Sequence, residues 1–321
     1  MSLSSSKIYV LDPYHPEAIS LLQSFKNATI ILPTDERKGN WHQDADAILL
    51  RSETHVGQAD FAKAKNLRLV VKQGTGVDNI DLEAAKAANV AVHNTPALNS
   101  ETVAELCLAL ALSLSRRVCE IDRKLRKGDK LVRSQMLGLS LFRKIVGIVG
   151  MGNIGRESAL KWKGAFDCKI IAYDPIAKKD AWADIDHQRV ADINDLLREA
   201  DVISLHVPLL PTTRGMIGVK EFGMLKKQAI LINAARGGLV EEQALLAALK
   251  EKRIWGAVLD AMEVEPPTLQ SCKEFLELDN VLITPHIGAS TMENQANSGK
   301  AAVQILLDAL EGKADVAGKL V

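Results

Sequence analysis

Residues 144–155, KIVGIVGMGNIG, constrain this chain more than any other stretch. An unbroken apolar run enters three glycines at G-x-G-x-x-G spacing, and a helical pattern leaves them. Such a run fits a strand buried on both faces, and the glycines fit the sharp turn into a helix that a dinucleotide pyrophosphate requires. Gly150 permits the tight turn, and Gly152 lets the anion approach Asn153 and Ile154 at the helix start. Gly155 lets helix and strand pack closely. The N–H groups and dipole of the helix start favour negative charge. The next apolar run ends in Tyr173-Asp174-Pro175, about 20 residues on, where a carboxylate accepts hydrogen bonds from an adenosine ribose. Asp174 would also repel a 2′-phosphate, so the expected cofactor is NAD. The plain alternative is a turn Asp ahead of a proline.

The rest of the chain repeats the same rhythm. Aliphatic runs at 7–11, 47–50, 69–71, 145–149, 170–173, 202–206, 230–232, 257–259 and 281–284 alternate with helical patterns. Continuous runs joined by helices predict βαβ units and parallel sheets. The expected class is α/β, with two Rossmann-like, doubly wound parallel-sheet domains, a division that suits 321 residues. Two long helical patterns break the rhythm, 100–118, opened by Ser100, Thr102 and Glu105, and 291–310. Both read as crossings between domains. The substrate domain is then discontinuous, 1–102 and 290–321, and the cofactor domain is 103–289.

Composition excludes several classes. Forty basic residues balance forty acidic ones, which gives no pull toward nucleic acid or an anionic membrane. No apolar run reaches the length of a bilayer span. The start, 1–7, is Ser-rich without an apolar core and does not read as a signal peptide. A cytoplasmic setting follows by default. Cys107, Cys119, Cys168 and Cys272 form no C-x-x-C pair, and the seven His show no ligand spacing, so neither a disulfide framework nor a metal is expected.

Three successive strand-like runs end in ionisable residues. The run 231–233 leads to Arg236, the run 258–259 to Asp260 and Glu265, and the run 282–284 to His286. Ligands of open parallel sheets bind outside the carboxyl ends of the strands. Hydride transfer at a 2-hydroxy acid carbon needs a cation for the carboxylate, which Arg supplies bidentately. It needs a group that moves a proton on and off the hydroxyl oxygen, which suits His. A carboxylate beside that His orients it and stabilises its charged form. Taken singly, a helix-entry Arg, a solvated loop Glu and a half-buried His are the simpler readings. In register downstream of a dinucleotide turn, Arg236, Glu265 and His286 read as a catalytic set.

Seven segments together resemble the D-2-hydroxyacid dehydrogenase family: GTGVDNIDLEAA (74–85), HNTPALNSETVAEL (93–106), GIVGMGNIGRE (147–157), IAYDP (171–175), NAARGGLVEE (233–242), VLDAMEVEPP (258–267) and NVLITPHIGAST (280–291). The resemblance implies catalysis by Arg236, Glu265 and His286. It implies cofactor contacts from His206, Val207, Pro208, Ala234, Ala235, Asp260, Gly288 and Ala289. It also implies a cleft that closes and a homodimer through the cofactor domain, with the long helix from Ser100 and the segment 119–140 fitting its arm. Within the family the chain is most similar to the branch acting on 3-phosphoglycerate. That branch places Arg51 and Lys72 on the substrate, beside Gly74, Thr75 and Gly76. The family commonly has Arg at the position of Lys72, often Gly at that of Leu98, and usually Val-Phe at that of Ala261-Met262. The first two departures bear on substrate identity. The chain ends at Val321, where longer members continue into a regulatory domain, so feedback by serine through such a domain is not expected. Two alternatives stay open. A glyoxylate or hydroxypyruvate reductase would share the catalytic set, and a non-catalytic NAD-sensing binding protein can retain it.

Overall fold

The computed structural model describes residues 6–321; residues 1–5, within the Ser-rich start, lie outside them. The chain divides into two compact units, one running up to Asn99 and resuming at Ser290–Val321, the other Ser100–Ala289. The first boundary falls three residues before the one the sequence suggests.

The first unit is built on five parallel strands: β1 (Ser6–Val10), β2 (Ala28–Ile31), β3 (Ala47–Leu50), β4 (Leu69–Lys72) and β5 (Ala91–Asn94). Their order is β2-β1-β3-β4-β5, one of the common doubly wound arrangements. Alternation of side chains splits the apolar runs between two faces. Ile8, Val10, Leu49 and Val71 pack with Ala18 and Leu22 of the helix Pro16–Gln23, and with Ala302, Val303 and Leu306 of the helix Met292–Leu310. Tyr9, Ile48, Leu50, Val70 and Val92 meet Trp41, Phe61 and Ile80 on the other face. The C-terminal helix therefore completes the first core, which is why this unit is discontinuous in sequence. Thr291 caps that helix by accepting from the Asn294 N–H.

The second unit holds seven parallel strands: β6 (Ile145–Val149), β7 (Lys169–Tyr173), β8 (Gln188–Arg189), β9 (Val202–Leu205), β10 (Ile230–Asn233), β11 (Gly256–Leu259) and β12 (Val281–Ile283). Their order is β12-β11-β10-β9-β6-β7-β8. The winding reverses between β6 and β9, and a crevice opens at such a switch point. The doubly wound, two-sheet α/β class expected from the sequence is the class observed.

The helix expected over 100–118 is shorter. It runs Ser100–Ser115, burying Val103, Cys107, Ala111 and Leu114 on one face. Arg117 then takes φ 57°, a left-handed conformation that stops a helix. Its guanidinium forks onto Glu120 at 2.7 Å in the next helix, Val118–Arg126. The segment 127–140 carries only the 3-10 turn Arg133–Gln135 and exposes Val132 and Leu137. All four cysteines are free thiols. Among the described residues no helix is long and apolar enough to cross a membrane, and no group of His, Cys, Asp and Glu is arranged to hold a metal ion.

Candidate active site

Because all seven strands of the second unit are parallel, the segments after β6, β7, β9, β10, β11 and β12 share one edge. Val149 passes into Gly150 at φ +102°, and a Cβ there would meet the carbonyl of His206. The Gly150 N–H donates to Tyr173 O at 2.9 Å, tying the turn to the end of β7. Gly155 sits so near the Gly150 carbonyl oxygen that only a hydrogen fits between them. Gly152 is the N-cap of the helix Asn153–Phe166. Among the described residues no side chain caps that helix start, and a Cβ on Gly152 would meet nothing within 4 Å. Unpaired N–H groups facing open space are what a pyrophosphate needs, so this turn fits a dinucleotide.

Asp174 lies at the same turn. Its Oδ2 accepts from the Met151 N–H at 2.9 Å, and its Oδ1 from the Ile176 and Ala177 N–H groups at 3.0 Å. Arg189 of β8, which the sequence did not single out, donates to the carbonyls of Asp174, Ala177 and Lys178 at 2.7–2.8 Å. After β9, His206 Nε2 is shared between Ser204 Oγ at 2.9 Å and Ser158 Oγ at 3.1 Å. Burial pushes this imidazole down to about 4, so it is neutral near pH 7. It thereby links β9 to the helix after the glycine turn. Val207 touches the turn at Gly150, while Pro208 is exposed.

After β10, Ala234 and Ala235 are buried and Arg236 is half-buried. Asn233, another residue the sequence did not mark, holds this turn from within. Its Nδ2 donates to Arg236 O at 2.8 Å and to Ala261 O at 3.4 Å, and its Oδ1 accepts from the Ala235 N–H at 3.2 Å. Arg236 Nη1 donates to Ala235 O at 2.8 Å.

Asp260, 1% exposed, turns out to brace the loop after β12. It accepts from Thr284 Oγ1 at 2.6 Å, from the Ile287 N–H at 2.8 Å and from the Gly288 N–H at 2.9 Å. These bonds straddle His286, which takes φ 55°. A non-glycine residue is rarely held there, and such strain gathers at functional positions. The His286 ring lies against Glu265, with Nδ1 2.9 Å from Oε2 and 3.1 Å from Oε1. Among the described residues its Nε2 takes no partner. Burial raises the Glu265 carboxyl. The hydrogen bond and charge of His286, the Met262 N–H at 3.2 Å and the charge of Arg236 outweigh it, so the net shift is downward. The structure therefore brings Arg236, Glu265, His286 and Asp260 together within the second unit. Gly288 and Ala289 follow directly.

The other residues marked in the sequence lie at the carboxyl ends of β3 and β4 in the first unit. Arg51 is half-buried, and its Nη1 donates to Pro13 O at 3.0 Å. Lys72 is buried, with its ammonium donating to Gly76 O. The 74–76 loop is held by Thr95 Oγ1 on the Gly74 N–H at 2.7 Å, by Asn94 Nδ2 on Thr75 O at 2.6 Å, and by Thr75 Oγ1 on Asn99 Oδ1 at 3.2 Å.

Residues 108–288 match the model of the D-isomer specific 2-hydroxyacid dehydrogenase NAD binding domain. The chain is 40% identical over 308 residues to D-3-phosphoglycerate dehydrogenase of Methanocaldococcus jannaschii, covering 96% of this chain and 58% of that one. It is 38% identical over 301 residues to hydroxypyruvate reductase of Thermotoga maritima, covering 93% and 96% respectively. D-lactate dehydrogenase from Aquifex aeolicus, solved with NAD and lactic acid, superposes with a TM-score of 0.81 at 29% identity over 96% of each chain. The chain belongs to the D-isomer specific 2-hydroxyacid dehydrogenase family. Its second unit carries that family's NAD-binding domain, and its cofactor is NAD. The chain spans somewhat over half the length of the Methanocaldococcus relative.

Proposed function

We propose that this chain is an NAD-dependent oxidoreductase of D-2-hydroxy and 2-oxo acids. The observation that carries the reading is the His286–Glu265 pair, held on a strained turn beside Arg236 at the strand ends of the NAD-binding unit. NAD, when bound, takes up or delivers the hydride. The side chains do the rest. Arg236 holds the substrate carboxylate through paired N–H donors. His286, through Nε2, gives a proton to the substrate oxygen in reduction and removes it in oxidation. Glu265 fixes the ring through Nδ1 and supports its charged form. Asp260 sets the turn that aims the ring. The family resemblance supports a homodimer through the second unit and a cytoplasmic setting.

Among the acids, 3-phosphoglycerate and its 2-oxo form come first, on the resemblance that places Arg51 and Lys72 on substrate. A phosphate between two cations gains charge-assisted hydrogen bonds that a short neutral tail does not. Hydroxypyruvate is the second reading. Two observations favour it: Lys72 already donates to Gly76 O, and the Thermotoga hydroxypyruvate reductase matches along 96% of its length. Rates of NADH oxidation with phosphohydroxypyruvate, hydroxypyruvate, glyoxylate and pyruvate test both. The first reading expects the phosphorylated acid to be used best, and Arg51→Ala to weaken it about tenfold while sparing glyoxylate. Equal losses on phosphorylated and plain acids put the reductase first. No turnover of any acid leaves an NAD-sensing binding protein.

A further inference from the structure

Where β3 ends, the chain makes a short loop, 51–54, whose backbone is held by two side chains far away in sequence. Asp12 follows β1 and is only 2% exposed. Its Oδ2 accepts from the Arg51 N–H at 2.5 Å and the Thr54 N–H at 3.3 Å, while its Oδ1 accepts from Thr54 Oγ1. Asn79 works from the opposite side. Its Nδ2 donates to Arg51 O at 2.8 Å and to Thr54 O at 2.6 Å. The N–H and C=O of both end residues are thus taken, and among the described residues the N–H groups of the exposed tip, Ser52 and Glu53, take no partner.

A loop that merely joined β3 to the following helix would need none of this. A buried carboxylate is costly unless hydrogen-bonded, and among the described residues Asp12 has no ion pair. Its charge is satisfied by loop donors, so the loop cannot relax without stranding it. Asn79 reads the same two residues through their carbonyls, which a carboxylate of the same shape would repel. The pair fixes both the position and the peptide orientation of the loop.

We propose that Asp12 and Asn79 are positioning residues that hold the 51–54 loop for substrate and so set affinity for the 2-oxo acid, apart from proton and hydride transfer. The proposal rests on the reading above, in which this loop contacts substrate. The test is steady-state kinetics with NADH and whichever 2-oxo acid the unaltered chain uses best. Asn79→Asp and Asp12→Ala should each raise KM for that acid about tenfold or more, the scale of losing hydrogen bonds to buried groups. The kcat and the KM for NADH should stay within about threefold. Asp12→Asn, which keeps an oxygen acceptor for the two N–H groups, should restore most of the affinity. Thr54→Val deletes one bond with little change of shape and remains informative if the harsher variants do not fold. It should raise the same KM by about three- to tenfold. A substrate KM that stays put in Thr54→Val and in every folded variant overturns the proposal, as does an equal rise in KM for NADH. If the unaltered chain turns over no 2-oxo acid, the functional reading itself fails and this proposal fails with it. An active chain with unmoved KM refutes the positioning role alone.

Discussion

At the scale of single residues, the proposed chemistry rests on which nitrogen of His286 faces which group. Glu265 occupies Nδ1, which leaves Nε2 for substrate. In the proposed mechanism reduction consumes a proton from His286 and oxidation returns one, so the reductive rate should fall with rising pH while the oxidative rate climbs. His286→Asn should lower kcat in both directions by roughly 10²–10⁴, the scale of a general acid–base. Glu265→Gln should lower kcat in both directions by roughly tenfold or more, because the ring loses the carboxylate that orients it at Nδ1. The carboxyl of Glu265 lies below its ordinary value of 4.5. Its contribution is therefore complete above pH 4.5 and is lost only as pH falls through the lowered value. Parallel pH–rate profiles of the two directions check this, and a kcat unchanged in Glu265→Gln sinks the role of the carboxylate. Arg236, Glu265 and His286 were legible in the sequence because each follows an apolar strand and sits in a motif the family shares. Asp12, Asn79 and Asn233 were not singled out, although Asp12 follows an apolar run and Asn79 and Asn233 lie in shared segments. Each is a polar residue that binds the backbone of a turn, and such a task imposes no periodicity; only the folded partners reveal it.

At the scale of elements, the interior was more legible than the rim. The strands found from continuous aliphatic runs are those buried on both faces, such as β3 and β9, all of whose residues are buried. The sequence passed over β2, β5 and β8. β2 is an edge strand with Thr29 exposed. β5 ends in His93 and Asn94, buried polar residues along which the 317–320 tail lies. β8 is two exposed residues. β8 offers no apolar run, and β2 and β5 offer only the short runs Ile30-Ile31-Leu32 and Val90-Ala91-Val92, each bounded by polar residues or proline. The glycine turn was the most readable element, and its three glycines should separate by what each one is for. Gly155→Ala drives a Cβ into the Gly150 carbonyl and should destabilise the fold by about 1–3 kcal/mol. Gly152→Ala meets nothing in the protein itself. It should change stability by less than about 0.5 kcal/mol, yet weaken NADH binding about tenfold or more, because the methyl stands where the pyrophosphate approaches. Denaturant unfolding beside NADH fluorescence titration resolves the two. Equal loss of stability in both variants would mean that Gly152 serves the fold rather than the anion.

At the scale of the whole molecule, forty positive and forty negative side chains cancel, so net charge does not draw an anionic cofactor in. Selection between NAD and NADP is then expected to be local, and the proposed place for it is the end of β7 in the second unit. The Asp174 carboxylate already collects three backbone N–H groups and retains lone-pair capacity for hydroxyl donors. A 2′-phosphate brings no donor and sets negative charge against it. Arg189, a guanidinium at this edge, donates to the carbonyls of Asp174, Ala177 and Lys178, so three of its five N–H groups are engaged by the protein. A ligand that binds only the folded state stabilises it by about 2.7 kcal/mol at a hundred times its Kd. For a unit of this size that is roughly a 5–10 °C rise in Tm. NAD should produce such a rise, and NADP at the same concentration a much smaller one. Asp174→Ala removes both the acceptor and the repelling charge, so the NAD shift should shrink while the NADP shift holds or grows. The comparison uses shifts within each variant, because losing the three N–H bonds lowers the starting Tm for both cofactors alike. Equal NAD and NADP shifts in the unaltered chain would remove Asp174 from cofactor selection and leave it as a brace for the glycine turn.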